Sequence, residues 1–222
     1  CEVTILTKGK DISYAGCGLP YYVGGLIPGR EQLIVNTPES FSKLTGAQVQ
    51  TETEVTAVDT AAKTVTAVHK GEEETWNYDK LVIASGASPF RPQIEGLDLE
   101  NVFFMRTPDD AIALRKAVEA GGIKRAVVAG GGFIGLEVAE NLAPKGIRVN
   151  VIDFAPHVLP NFLDPEMSEY VENKMSEAGV NPMTGVSLEA ILGDGKVEKV
   201  QTSKRAVKAD AVVIAIGIRP NT

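Results

Sequence analysis

The 222-residue chain could form one large domain or two small ones, and its 44% hydrophobic and 23% charged content is ordinary for a globular protein. A net charge of −7 argues against a sequence-independent nucleic-acid binder, which needs a basic face to neutralise phosphates. The apolar runs are far shorter than the roughly 18 residues that a membrane-spanning helix requires, and no signal peptide opens the sequence. We therefore expect a cytoplasmic protein with no membrane or nucleic-acid partner.

The two cysteines, Cys1 and Cys17, are too few for a disulfide scaffold, so we expect any thiol chemistry to be catalytic rather than structural. The histidines and cysteines are scattered at spacings that predict no metal site. The sequence starts at Cys1 without Met and stops just after a strand-and-turn signal. We therefore expect an internal part of a longer protein.

In chain order, the first predicted elements surround Cys17. Residues 3–6 alternate like a strand, and a loop then leads to the segment around Cys17. Pro20 is tolerated in a helix only within the first turn, so a helix is predicted to begin beside Cys17 and to end near Gly24 and Gly25.

Two strand patterns follow. Period-two alternation over residues 49–78 predicts a small antiparallel meander. The unbroken apolar run at 81–84, closed by Ser85 and Gly86, predicts a strand covered on both faces.

A domain boundary is predicted near residue 106, because Thr107-Pro108-Asp109-Asp110 is a strong helix start with a capping hydroxyl, a first-turn proline and two acids. The predicted domains are therefore 1–106 and 107–222. Beyond the boundary the pattern predicts strands at 126–129, 149–152, 197–200 and 211–216, and helices at 133–142 and 165–178.

The segment Gly130-Gly131-Gly132-Phe133-Ile134-Gly135 fits the G-x-G-x-x-G dinucleotide fingerprint between a predicted strand and a predicted helix. Gly130 permits the tight turn, Gly132 lets the backbone approach a pyrophosphate, and Gly135 lets the helix pack closely on the strand. Free amides and the helix dipole would hold the phosphate. The alternative is a glycine-rich turn that packs a helix without any ligand.

Asp153 ends the next predicted strand, about twenty residues further on, where the fingerprint places the acid that binds the adenosine ribose. A carboxylate there repels a 2′-phosphate, so we predict NADH over NADPH. His157 and Arg148 are the residues that could instead offer a phosphate a partner.

Two apolar runs end alike: residues 82–86 before Pro89 and residues 213–217 before Pro220 are each an apolar stretch, a glycine turn and a proline. The repetition suggests two related nucleotide-binding domains. We predict an α/β fold of two Rossmann-like three-layer domains, the first incomplete, each with a small antiparallel meander.

Cys17 lies between glycines at a predicted helix start, where the dipole favours a thiolate. Most free cysteines are small buried hydrophobes, and composition alone favours that reading. However, residues 13–25 resemble the active-site segment of the coenzyme A-disulfide reductase and NADH oxidase branch of the pyridine nucleotide-disulfide oxidoreductases. Residues 81–89, 130–137, 153–160 and 211–221 match further motifs of that family in the same order.

The resemblance implies FAD and NAD(P)H as cofactors, hydride transfer from NADH to the flavin, and electron delivery to the sulfur of Cys17. Cys1 is a poor candidate for a second thiol, so Cys17 would alternate with an external partner such as coenzyme A disulfide, or form a sulfenic acid. In the same way, Phe133 would gate the nicotinamide pocket and Glu137 would lie near flavin and nicotinamide; simple core packing and a solvated helix face are the alternatives. The resemblance further assigns Ser13, Tyr14 and Gly16 to the substrate, Ile134 to the dinucleotide loop, and Ala84, Ser85, Gly86 and Gly217 to the crossovers at the flavin.

The sequence departs from the family pattern in three ways. The glycine-rich FAD loop is absent, Thr7 stands where the ribose acid for FAD is usual, and Gly16 replaces a common Asn. We therefore expect this chain by itself to bind flavin poorly. The resemblance also implies a homodimer for the full-length protein. An NADH oxidase, peroxidase or polysulfide reductase of the same family, and an inactive nucleotide-binding piece, stay open as alternatives.

Overall fold

The structure is a computed structural model, and it describes residues 1–221. The strands are β1 (Thr4–Leu6), β2 (Ser13–Tyr14), β3 (Ile34–Asn36), β4 (Gln48–Gln50), β5 (Thr53–Asp59), β6 (Thr64–His69), β7 (Glu72–Asn77), β8 (Ala87–Pro89), β9 (Val102–Phe104), β10 (Arg125–Ala129), β11 (Arg148–Ile152), β12 (Val180–Met183), β13 (Leu188–Leu192), β14 (Lys199–Thr202), β15 (Ala206–Lys208), β16 (Ala211–Ile214) and β17 (Ile218–Pro220). The α-helices are α1 (Leu19–Gly24), α2 (Pro38–Thr45), α3 (Pro108–Glu119), α4 (Phe133–Leu142) and α5 (Pro165–Glu177).

Residue contacts divide the chain into two compact units. The first unit comprises Cys1–Ala15 and Glu31–Ser85, and the second comprises Gly16–Arg30 and the chain from Gly86 onward. Strand β9 precedes residue 106 but pairs with β16, so the sheet of the second unit takes residues from both sides of the boundary predicted there. A domain division at residue 106 stays a prediction.

The first unit is built from short sheets. Strands β1 and β4 pair in parallel, β2 and β3 pair antiparallel, and β5, β6 and β7 form the predicted antiparallel meander. The central strand β6 buries Val65 and Ala67. Helix α2 was not predicted; Thr37 caps it, and the Thr37 hydroxyl accepts a hydrogen bond from the Ser40 amide.

The predicted buried strand at 81–84 is wrong. These residues form no strand, and the side chains of Val82 and Ile83 are 85% and 73% exposed. An apolar run is buried in a sheet only where a neighbouring strand accepts its backbone hydrogen bonds. In the part of the chain that the structure describes, the parallel sheet of the first unit has only β1 and β4, and neither pairs with this run.

The second unit contains a five-stranded parallel sheet in the order β12-β11-β10-β16-β9. Its central strands are nearly continuous apolar runs, as expected for parallel strands covered on both faces. All four residues of β16 are buried, as are the last four of β10. Strands β13, β14 and β15 form a second antiparallel meander. The predicted α/β class, with parallel strands and two meanders, is confirmed.

Helix starts in the second unit follow the predicted signals. Thr107 caps α3 with Pro108 in the first turn, and the carboxylate of Asp110 accepts the Thr107 amide in a reciprocal capping box. Helix α1 begins two residues after Cys17 and ends at Gly24; the following C-cap, Gly25, has φ of 86°, the left-handed conformation that glycine adopts readily. Helix α4 covers the predicted residues 133–142.

Candidate functional site

The glycine loop joins β10 to α4, and two of its glycines are required by close backbone contacts. Gly130 has φ of 115°, and a Cβ there would collide with the carbonyl oxygen of Ala215 after β16. A Cβ on Gly135 would collide with the carbonyl oxygen of Gly130. The first turn of α4 therefore packs directly on the strand exit, as the fingerprint predicts.

Gly132 differs from both, because a Cβ built on it meets no atom within 4 Å. It is the N-cap of α4, has extended backbone, and has no side chain to cap the helix. The first amides of a helix have no partner within the helix, so they point from the open side of Gly132 toward any anion bound there. The loop thus fits the pyrophosphate of a dinucleotide.

Asp153 follows β11 and is bonded to the same loop. One carboxylate oxygen accepts the Gly131 amide at 2.6 Å, and the other accepts the Ala155 amide at 2.8 Å. Each oxygen keeps a further lone pair with which to accept a ribose hydroxyl. The sequence predicted the acid but not its bond to the loop.

Arg148 and His157 are the two basic residues considered as partners for a 2′-phosphate. Arg148 begins β11 whereas Asp153 follows its end, a separation of about 16 Å along a strand of this length. His157 lies 3.9 Å from the carboxylate of Glu172. Of the three residues, Asp153 is the one whose side chain is hydrogen-bonded to the glycine loop.

Two aromatic side chains lie at the start of α4. Phe133 is 52% exposed, and its ring packs against that of Phe162 with centroids 4.8 Å apart and planes at 59°. Ile134 is exposed beside it. The core-packing alternative for Phe133 does not fit this exposure, and its role as a nicotinamide gate stays a prediction.

Glu137 lies one turn further along α4 and is partly buried. Burial raises the pKa of its carboxyl group, and the nearby charge of Glu140 raises it further. The side chain is thus only partly solvated, and its place near flavin and nicotinamide stays a prediction. A raised pKa marks Glu137 as a candidate functional group, since such shifts cluster at sites.

Cys17 lies in the 3-10 turn Gly16–Gly18 that leads directly into α1. Cys17 and Cys1 are both free and exposed, so Cys17 is not the buried hydrophobe that composition favours. Helix α1 packs against α3 and α4, and Gly24 lies so close to α4 that a Cβ there would collide with Asn141. The second unit therefore contains the Cys17 turn and its helix, the glycine loop and Asp153.

Arg115 of α3 was not singled out from the sequence, yet it contacts the end of α1. Its guanidinium donates to backbone carbonyls just beyond and within α1 and lies over the ring of Tyr22. No sequence motif predicts such a contact, because Tyr22 and Arg115 are far apart in sequence, with most of the first unit between them.

The remaining predicted site residues lie on strands and turns. Ser13 and Tyr14 form β2 in the first unit and are partly buried, Gly16 is exposed, and Ala84 and Ser85 are exposed in the strandless run. Gly86 and Gly217 have φ of 71° and 115° and flank the antiparallel pair β8 and β17. The amide of Phe90 donates to the Gly217 carbonyl, and that of Asn221 to the Gly86 carbonyl. The two predicted crossovers thus run side by side.

Within residues 1–221, no helix is both long and apolar enough to cross a bilayer. In the same range, no group of three or more His, Cys, Asp or Glu side chains is arranged to hold a metal ion.

The family model for pyridine nucleotide-disulphide oxidoreductases matches residues 1–222. The NADH oxidase of Methanocaldococcus jannaschii is 42% identical over 221 residues, 99% of this chain and 49% of that protein. The CoA-dependent NAD(P)H sulfur oxidoreductase of Pyrococcus abyssi is 38% identical over 220 residues, 99% of this chain and 48% of that protein. The structure of an NAD-dependent persulfide reductase from A. fulgidus has a TM-score of 0.95 at 40% identity, covering 100% of this chain and 42% of that one.

The chain spans about half the length of the curated relatives it matches. The match to the family model covers the whole sequence, and the fold of the persulfide reductase is reproduced along the whole chain. The predicted resemblance is confirmed, and the chain belongs to the pyridine nucleotide-disulphide oxidoreductase family.

Proposed function

We propose that this protein is an NADH-dependent flavoprotein that reduces low-molecular-weight disulfides through the single thiol of Cys17, with coenzyme A disulfide as the substrate. One observation supports it above all: a single compact unit contains an open dinucleotide loop with its acid and an exposed, solitary cysteine. Family membership supplies the chemistry that joins the two.

The dinucleotide would be held by the loop and by Asp153. The amides of the first turn of α4, including those of Phe133 and Ile134, bind the pyrophosphate on the open side of Gly132. Asp153 accepts hydrogen bonds from the adenosine ribose hydroxyls, and its charge disfavours a 2′-phosphate. Phe133 is exposed at the same helix start, where it covers the nicotinamide end and limits the access of water.

FAD would be held in part by the two crossovers. Gly86 and Gly217 have positive φ, and a Cβ on either meets nothing within 4 Å, so both peptides leave room for a ligand beside them. Ala84 and Ser85 precede Gly86 and are exposed. When bound, FAD supplies the means to accept a hydride and to pass two electrons to a sulfur. Glu137, with its raised pKa, exchanges a proton beside the reacting groups.

The thiol step needs only one cysteine. The Cys17 thiolate attacks one sulfur of the substrate disulfide, forms a mixed disulfide and releases the other half as a thiolate. Two electrons from NADH and one proton then cleave the mixed disulfide, which releases the second thiol and restores the Cys17 thiolate. Ser13, Tyr14 and Gly16 precede the sulfur in sequence and would orient the substrate.

The relatives' names favour a second candidate, reduction of a persulfide or of oxygen. The three compared proteins are named as an NADH oxidase, a CoA-dependent sulfur oxidoreductase and a persulfide reductase. In these reactions Cys17 would cycle through a persulfide or a sulfenic acid rather than a mixed disulfide. We further propose a cytoplasmic location and, for the full-length protein, a homodimer.

The test is NADH consumption by the purified full-length protein loaded with FAD, with coenzyme A disulfide, polysulfide, peroxide or oxygen as the acceptor. We expect turnover with coenzyme A disulfide that Cys17→Ser abolishes and the matched Cys1→Ser leaves within about twofold, because Cys1 supplies no electron in this scheme. Turnover with polysulfide or oxygen alone would select the second candidate. Full disulfide turnover by Cys17→Ser would refute the thiol mechanism.

A further inference from the structure

We propose that Arg115 is a positioning residue for Cys17: it fixes the C-terminal end of α1 and thereby the placement of the thiol at the other end. The inference rests on the proposed function of Cys17, and it assigns a role to a side chain on a different helix.

The first step concerns the carbonyl groups of the α1 end. One guanidinium nitrogen of Arg115 lies 3.3 Å from the Tyr22 carbonyl oxygen, 3.1 Å from that of Ile27 and 3.1 Å from that of Pro28. The last carbonyls of a helix have no partner within it, and a cationic donor bonds such carbonyls more strongly than a neutral one. Arg115 thus closes the end of α1 and joins it to the loop that follows.

The second step concerns how firmly Arg115 is itself held. Its guanidinium carbon lies 4.6 Å from the centre of the Tyr22 ring, and its Nε donates to the Glu119 carboxylate at 2.7 Å, one turn along α3. The side chain is only 19% exposed. Neighbouring Leu114 and Val118 are buried, so α3 offers a fixed base. These contacts hold the Arg115 guanidinium against the end of α1.

The third step links the far end of α1 to the sulfur. Cys17 is exposed, so packing around the sulfur does not fix its position; the turn and helix that follow it do. A six-residue helix has no stability of its own in water and depends on tertiary contacts. Leu19 and Val23 bury one face of α1, and Arg115 holds its end. Because a displacement of about 1 Å can cost roughly a hundredfold in rate, the thiol requires this support.

The experiment compares Arg115→Ala and Arg115→Lys with Lys116→Ala, which removes an exposed cation from the next position of the same helix. Four quantities are measured on the folded full-length protein loaded with FAD: the NADH dissociation constant, the rate of Cys17 alkylation by iodoacetamide, kcat and KM for coenzyme A disulfide, and amide hydrogen exchange over residues 19–28.

For Arg115→Ala we expect kcat to fall about tenfold or more. The NADH dissociation constant and the rate of Cys17 alkylation should stay within about twofold, because the glycine loop at 130–135 is unchanged and the sulfur is already exposed. Exchange over 19–28 should accelerate by about tenfold. Arg115→Lys should recover part of kcat, since a lysine ammonium keeps the charge but cannot reproduce the planar set of hydrogen-bond donors of the guanidinium. Lys116→Ala should match the unmodified protein.

The inference is overturned if Arg115→Ala keeps kcat and the exchange rates, or if NADH affinity falls as much as kcat, which would indicate a general loss of structure. The proposed function fails separately. Absence of NADH-dependent disulfide turnover in the unmodified full-length protein loaded with FAD would refute the function, whereas unchanged exchange over 19–28 in Arg115→Ala would refute the positioning role on its own.

Discussion

Asp153 connects two parts of the dinucleotide site at the scale of a single residue. Its carboxylate accepts amides from the glycine loop and from Ala155, so its position is set by backbone rather than by side-chain packing. An acid held this way presents its remaining lone pairs in a fixed direction. Coenzyme choice should therefore depend on Asp153 more than on Arg148 or His157.

We expect Asp153→Ala to weaken NADH binding by roughly tenfold or more, because a hydrogen bond to a charged group contributes about 1.5–3 kcal/mol. NADPH binding should change less, since the repulsion of the 2′-phosphate is lost together with the ribose contact. Asp153→Asn, which keeps the shape and loses the charge, is the matched control. Comparison of KM for the two coenzymes measures the effect, and equal use of both by the unmodified protein would refute the preference.

The charged form of Glu137 should lower the free energy of unfolding at neutral pH. Its pKa is raised by burial and by Glu140, so the charged form is disfavoured in the folded state. Below its ordinary pKa of 4.5 the group is neutral in both states and the penalty is absent; as pH rises through the raised folded pKa, the full penalty develops.

Glu137→Gln should therefore raise the free energy of unfolding at pH 7 and leave it unchanged near pH 3, while turnover falls. Urea unfolding at the two pH values measures the difference. A destabilised Glu137→Gln at pH 7 would show that the charge is favourably bound, contrary to the direction of the shift.

Sequence reasoning singled out individual residues where one residue type is physically required. Gly130, Gly135 and Asp153 fall in a fingerprint because each position tolerates few alternatives. Arg115 was missed because an arginine on an exposed-looking helix carries no local signal, and its partners in the segment after Cys17 are distant in sequence. Such contacts follow from packing, which periodicity does not encode.

At the scale of the element, different glycines of the loop serve packing and ligand binding. Gly135 packs on the Gly130 carbonyl, whereas Gly132 faces open space and has φ of −84°, which any residue adopts. We expect Gly135→Ala to destabilise the protein by about 1–3 kcal/mol through overpacking.

Gly132→Ala, the matched variant, should unfold within about 0.5 kcal/mol of the unmodified protein but lose NADH affinity by about tenfold or more, because its methyl group occupies the space of the pyrophosphate. Thermal unfolding and NADH fluorescence titration separate the two effects. Unchanged NADH affinity in Gly132→Ala would support the ligand-free alternative for the loop.

Elements with strong end signals were predicted well, and elements that depend on a partner were not. The capping box at Thr107 and the helix after Pro20 are local devices, and both helices occur where expected. The same Thr-Pro signal at Thr37 was overlooked, although α2 begins there. The run at 81–84 has the composition of a buried strand, but pairing is a tertiary property, and within the described chain it has no partner strand.

At the scale of the whole molecule, the second unit combines the elements that the proposed reaction requires. It contains the parallel sheet, the glycine loop at the ends of β10 and β11, and the helix that follows Cys17. Strand β2, with Ser13 and Tyr14, belongs to the first unit and precedes that segment in sequence. The central proposal is that electrons enter from NADH bound at the glycine loop and leave through the sulfur of Cys17.

The most direct test uses the full-length protein loaded with FAD: Cys17 is converted into a mixed disulfide with coenzyme A, and the coenzyme A released when NADH is added without oxygen is measured by mass spectrometry. The account predicts release of about one coenzyme A per Cys17, strongly slowed in Gly132→Ala and absent without NADH. Retention of coenzyme A on Cys17 in the presence of NADH and FAD would contradict it.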